Sequence, residues 1–263
     1  MDVYSFLEAV RKKSPLVHHL TNWVTIYDCA QVVKSLGASP VMAHAVEEVA
    51  DMAGLASALV LNIGTLTEDF IEGMKKAARA ANYGNIPVVL DVCGAGATPF
   101  RDRKSLEILD AAHIGIIKGN GSEIARISGL DVRTRGVDAA PVDEDLIKIA
   151  EELAEKRTCT VVVTGKEDIV TDGARLFRVR NGVGLMSQVV GTGCMAASVI
   201  GAFAGASPDD LASAAAAGLC CYGVAAELAA LKASAPVSFK HQLLDEIFTL
   251  GREDIVRLQK VDG

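Results

Sequence analysis

Four short apolar runs, each closing on a polar residue or a glycine, constrain this chain more than any other feature. They occupy residues 58–64, 86–91, 114–120 and 159–165, and the last is the most β-branched. Runs of this length and composition read as buried strands. Helical patterns separate or follow them at 68–82, 122–127 and 143–155. Strands spaced by helices predict an α/β fold, with a mostly parallel central sheet and helices on both faces. Residues 168–170 and 174–180, split by Thr171-Asp172-Gly173, predict a β-hairpin on a sheet edge. Beyond Val190 the pattern turns helical, over 193–205, 208–231 and 239–260. No repeat or Pro/Ser-rich linker interrupts the chain, so residues 1–263 are expected to form one domain.

Composition narrows the function classes. Half of the residues are hydrophobic, 22% are charged, and the formal charge is -7. That balance argues against a general affinity for nucleic acid or for anionic membranes, while leaving room for a local basic pocket. The alanine-dominated stretch 212–233 contains Glu227 and reads as a core helix, not a membrane span. Residues 1–8 carry acids and lack the basic-then-apolar order of a signal peptide, so a cytoplasmic protein is expected. The six cysteines show no paired metal-ligand spacing, and are expected as reduced, mostly buried thiols.

The chemistry concentrates at strand ends and at one hexapeptide. Val189-Val190-Gly191-Thr192-Gly193-Cys194 runs into small, helix-compatible residues. Gly191 and Gly193 let backbone approach a ligand, and a helix starting there points free N–H groups at an anion. Cys194 at that start is a candidate base or nucleophile, since a thiol's pKa falls at such a position. Asp91 closes a strand before Gly94-Ala95-Gly96. It is either a turn former or a magnesium ligand, and its place at a strand's carboxyl end favours the ligand. Lys118 is placed for phosphate oxygens. Glu123 either caps the helix after Asn120 or orders a metal-bound water, or does both. Thr164 and Gly165 close the fourth strand at the same edge. Asn22 and Met42 sit in polar islands within apolar settings and are candidates for lining a small pocket. His18, His19 and His44 receive no proton-transfer role. The chain has no Gly-x-x-x-x-Gly-Lys-Ser/Thr sequence, so its anion cradle is not a P-loop.

Taken together, residues 14–18, 37–42, 61–66, 94–101 and 191–194 resemble the hydroxyethylthiazole kinase family, within the ribokinase-like superfamily. The resemblance covers roughly residues 10 to 258. It implies transfer of the ATP γ-phosphate to the primary hydroxyl of 4-methyl-5-(2-hydroxyethyl)thiazole, with magnesium required, in thiamine biosynthesis. It also implies a homotrimer with thiazole sites between subunits. By matching position, Met42 would contact the thiazole, Gly191 would lie against the substrate, and Thr164 would contact ATP. Cys194 stands where many ribokinase-like enzymes place an aspartate base. Cys93 stands where the family pattern leads one to expect a valine. Two alternatives stay open at this point: another small-alcohol kinase of the same fold, acting on a pyrimidine or a sugar, and a cysteine hydrolase.

Overall fold

In a computed structural model of the chain, residues 1–129 and 144–263 are described. The first half runs α1 (Val3–Lys13), β1 (Leu16–Leu20), α2 (Ile26–Leu36), β2 (Ser39–Val41), α3 (Val49–Leu55) and β3 (Ala58–Asn62). Then come α4 (Glu68–Tyr83), β4 (Val88–Asp91), α5 (Pro99–Ala111), β5 (Ile116–Asn120) and α6 (Gly121–Ser128). The second half holds α7 (Glu144–Arg157), β6 (Thr160–Thr164), β7 (Asp168–Thr171), β8 (Leu176–Val179) and a 3-10 turn (Gly184–Gln188). It ends with α8 (Thr192–Ala206), α9 (Leu211–Lys232), α10 (Pro236–Thr249), α11 (Arg252–Leu258) and β9 (Val261–Asp262). Asp143, the expected first residue of the helix over 143–155, lies outside the described residues.

The strands form one sheet in the order β2-β1-β3-β4-β5-β6-β7-β8-β9. The first six pair in parallel, and β7, β8 and β9 extend the sheet antiparallel. Side chains alternate across it as a two-residue period demands. Val60, Val89, Ile116 and Val162 join α1, α2, α8 and α9 in one core layer. Leu59, Leu61, Leu90, Ile117, Val161 and Val163 join α4, α5, α6 and α7 in the other. The α8 side is built from small residues, so the helix lies close on the strands; a Cβ on Gly201 would collide with Val60. The long α9 is apolar enough to cross a membrane by composition, yet 78% of its most apolar window is buried inside the protein.

Three expectations need correction. The hairpin β7–β8 is present, but β8 is not the edge, because Val261 and Asp262 pair beside Val179 and Arg178. The single helix expected over 239–260 is two helices. The Arg11 guanidinium donates to the carbonyls of Ile247, Phe248 and Leu250, closing the end of α10 from outside. The Asp254 carboxylate then accepts from Gly251 N–H and opens α11. Finally, the polar island around His18 and His19 is a buried strand. Their rings bond the carbonyls of Ala43 (2.6 Å) and Val17 (3.1 Å), so polar side chains stand inside β1 with partners.

Candidate active site

Strand register builds the site. Asn62 pairs with Asp91, and Asp91 with Lys118, so three polar side chains stand in a row across the carboxyl ends of β3, β4 and β5. Each lies two residues beyond a member of the α8-side core (Val60, Val89 and Ile116) and so points toward α8. All three are buried. Lys118 Nζ lies 3.3 Å from both Asp91 carboxylate oxygens, and Asn62 Nδ2 donates to Asp91 Oδ2 at 2.8 Å. Burial pushes Asp91 up to about 7, with Lys118 pulling the other way. Burial also works against the Lys118 charge, but Asp91 and Glu123 hold it above the ordinary lysine range.

The start of α8 hangs over this row. Gly191 is its N-cap, with φ +96° and no side chain to satisfy the first turn. A Cβ at Gly191 would stand 2.7 Å from Thr25 Cγ2, so both the backbone angle and the space call for glycine. The helical ladder begins with Met195 N–H donating to Gly191 O, which leaves the N–H groups of Thr192, Gly193 and Cys194 ahead of it. A Cβ on Gly193 would lie 3.4 Å from Lys118 Nζ, which puts the ammonium directly beneath that turn. Cys194 Sγ accepts from Asn22 Nδ2 at 3.2 Å and from Asn62 Nδ2 at 3.4 Å. Its pKa is lowered to about 5, chiefly by a hydrogen bond from the Cys93 thiol; burial opposes this and Lys118 assists it.

Glu123 is the third residue of α6. Its Oε2 accepts from Asn120 N–H and its Oε1 from Gly94 N–H, both at 2.7 Å. The capping role is therefore real, and the same carboxylate braces the glycine loop beside Asp91. Among the described residues no group of three or more His, Cys, Asp or Glu is arranged to hold a metal ion. Two neighbouring carboxylates still suit magnesium, which keeps most of its waters and takes further oxygens from phosphate.

The remaining expected residues flank this centre. Met42 follows β2 at one side, half-buried, and its carbonyl is bonded by His44. Trp23 stands edge-on to the His44 ring at 4.6 Å and stacks on Phe70 at 5.8 Å, making an apolar rim there. Thr164 and Gly165 close β6 on the other side, where Thr164 Oγ1 donates to Gly119 O and Gly165 N–H to Asp168 Oδ1. Asn22, Lys118, Asp91, Gly193 and Cys194 are thus brought together; Glu123 joins them through Gly94, and Met42 and Thr164 occupy opposite flanks. A cavity of about 360 Å³ lies among Asn82, Val88, His113 and Leu211, at the amino ends of the strands and away from all of these groups.

Two contributors were not singled out from sequence. Asn62 was only one polar strand-end residue among several. Arg101 donates to the carbonyls of Ile63, Cys93 and Gly64 at 2.8–3.0 Å, strapping two strand-end loops together. Its signal was faint: a basic residue in the first turn of α5, where acids are the usual choice.

A mostly parallel sheet with helices on both faces, extended by antiparallel strands at one edge, is a ribokinase-like fold. The same fold is seen in a ribokinase-like superfamily protein of Enterococcus faecalis, with TM-score 0.64 over 94% of this chain and 89% of that one, at 13% identity. The family is narrower: residues 7–253 match the hydroxyethylthiazole kinase family, and the chain belongs to it. It is 52% identical over 256 residues to a hydroxyethylthiazole kinase of Methanosarcina mazei, covering 97% of this chain and 98% of that one. It is 47% identical over 259 residues to that of Moorella thermoacetica, covering 98% and 97%. The solved structure of the Pyrococcus horikoshii protein superposes with TM-score 0.91 at 40% identity, covering 99% and 98%.

Proposed function

We propose that this kinase transfers the γ-phosphoryl group of ATP to the primary hydroxyl of 4-methyl-5-(2-hydroxyethyl)thiazole, as a single domain acting in thiamine biosynthesis. The observation that carries the reading is the placement of the Cys194 thiol at an uncapped helix start whose first turn stands over the Asp91–Lys118 pair. The amides of residues 192–194 receive the oxygens of the moving phosphoryl group, because fixed N–H dipoles meet developing negative charge without reorganising. Lys118 neutralises phosphate charge from below. Met42 and the Trp23 rim bind the thiazole ring on one flank, while Thr164 and Gly165 contact the nucleotide on the other. Gly191, without a side chain, lets the substrate's hydroxyethyl arm approach the thiol. Cys194 accepts the hydroxyl proton as the O–P bond forms; in a loose transition state that proton leaves late, so a modest base suffices. Asp91, with Glu123 acting through an ordered water, would hold the magnesium ion, which supplies charge to bridge and neutralise the phosphates.

Among the described residues no histidine ring bonds Cys194, which favours a base over a hydrolase nucleophile. We infer that Trp23, Val24, Tyr27 and Val190, which are 49%, 69%, 74% and 72% exposed around the substrate flank, are covered by another subunit, which fits the homotrimer that the family resemblance implies. Sedimentation analysis reads the oligomer. The free state of all six cysteines fits a cytoplasmic setting. ADP release across a panel of alcohols tests the substrate: the thiazole alcohol is expected to give the highest kcat/KM, and a pyrimidine or sugar alcohol outrunning it overturns the assignment.

A further inference from the structure

Two asparagines surround the Cys194 sulfur, and neither can turn its amide the other way. Asn22 Oδ1 accepts three bonds, from Val24 N–H, Thr25 N–H and the Thr25 hydroxyl, each at 3.1 Å. Its Nδ2 is thereby turned inward, with Asn62 Oδ1 at 3.0 Å and Cys194 Sγ at 3.2 Å as its acceptors. Asn62 Oδ1 takes that bond and a second from Gly64 N–H at 2.9 Å. Its Nδ2 therefore faces Asp91 Oδ2 and Cys194 Sγ. Flipping either amide would set an oxygen against the sulfur and leave backbone N–H groups facing an NH2. Gly64 permits the arrangement, since a Cβ there would stand 2.9 Å from both Asn22 Cβ and Asn62 Oδ1.

We propose that Asn22 and Asn62 are positioning residues for the phosphoryl transfer: their locked amides aim two N–H groups at Cys194 Sγ and hold it, in place, as a thiolate. The proposal rests on the reading of Cys194 as the base. A neutral thiol is a weak acceptor, whereas a thiolate gains from every N–H donor, so donor-only neighbours favour the charged form. The other groups facing the sulfur pull in both directions. The Cys93 thiol from the loop after β4, Lys118 from β5 and the Thr25 hydroxyl favour the thiolate, while burial and Asp91 at the end of β4 oppose it; Cys29 on α2 and Tyr222 on α9 stay neutral, held up by burial. The amides add to this without carrying charge. Asn62 also joins the base to the phosphate side, because one NH2 group serves both Cys194 and Asp91. Asn22 makes no bond to Asp91 and reaches it only through Asn62, and this difference makes the two separable.

The test uses Asn22→Asp, which keeps the oxygen that receives Val24 and Thr25, removes the donor to Cys194 Sγ and to Asn62 Oδ1, and sets a carboxylate beside the sulfur. Thiolate formation is followed in the full chain, without ATP or magnesium, by absorbance at 240 nm and by the pH dependence of Cys194 alkylation with iodoacetamide. The expected result is a midpoint about one pH unit or more above that of the parent and a kcat lowered about fivefold or more at pH 5, with kcat near neutrality and KM for ATP little changed. Asn22→Ala is expected to move both less than Asn22→Asp, having no charge to repel the thiolate. An unmoved midpoint in the folded variant overturns the positioning role. A raised midpoint with kcat unchanged at pH 5 overturns Cys194 as base instead. Should Asn22→Asp fail to fold, Asn62→Ala removes the second donor and is read by the same two measurements.

Discussion

Of the helices that begin at the carboxyl edge of the sheet, α6 and α8 have first turns built in opposite ways. At α6, the Asn120 side chain accepts from Glu123 N–H at 2.9 Å while Glu123 Oε2 accepts from Asn120 N–H at 2.7 Å. Ser122 adds a third bond, to Asn120 Oδ1. That start is closed by its own side chains. At α8 the cap is Gly191, which has nothing to offer the first turn. The helices α4 and α5 follow the closed pattern, capped by Thr67 and Thr98. The helix α2 is also without a side-chain cap bond from Thr25, so what sets α8 apart is a glycine cap whose first turn stands over Lys118 with donors to give to a ligand. The contrast supports the proposal that the phosphoryl group is received at α8, while α6 holds the Glu123 carboxylate in place.

The contrast is broken or sharpened by substitutions on its two sides. Cys194→Ser is expected to lower kcat by about 10²–10⁴-fold, the usual range for a lost general base, with the melting temperature little changed. Cys194→Asp is expected to keep substantial activity, since a carboxylate at that place accepts the same proton. Next in size, Gly191→Ala forces a Cβ into the left-handed region and against Thr25. It is expected to raise KM for the thiazole alcohol about tenfold and to cost about 1–3 kcal/mol of stability, read by steady-state kinetics and chemical denaturation.

The pH profile gives an intermediate effect. Asp91 titrates at about 7 in the free protein, and its carboxylate is present above that value; the Cys194 thiolate is present above about 5. The magnitude kcat/KM is therefore expected to fall about tenfold per pH unit below about 7, and more steeply once below about 5. A flat profile down to pH 5 contradicts the role of Asp91. The smallest effect belongs to the closed helix. Asn120→Ala is expected to cost about 1 kcal/mol of stability through the lost cap, with kcat within a few-fold of the parent. A large kinetic loss there with little destabilisation would erase the distinction between the two helix starts.

The centre of the fold was legible because β3 to β6 are apolar on both faces and β-branched, a composition that only a buried parallel sheet explains. β1 was not, because two histidines inside it find carbonyl partners that no sequence pattern announces. The same holds for β9, whose two residues are a strand only because β8 offers an open edge. At the site, Asp91, Lys118, Glu123 and Cys194 could be named from strand ends and glycine loops. Their alignment could not, since the register that sets Asn62 beside Asp91 beside Lys118 depends on how the helices between them pack. The bond from Asn22 to Cys194 spans 172 positions, and only the closed sheet brings the two together.

The central claim is that Cys194, at the open start of α8, takes the proton as phosphate moves to the thiazole alcohol. Phosphorus NMR of single turnovers, with the parent, Cys194→Ser and Cys194→Asp run side by side on ATP, magnesium and the thiazole alcohol, tests it most directly. The account predicts a thiazole phosphate ester and ADP in equal amounts from the parent, the same ester from Cys194→Asp, and formation at least about a hundredfold slower from Cys194→Ser. Ester formation by the serine variant at the parent's rate would contradict it.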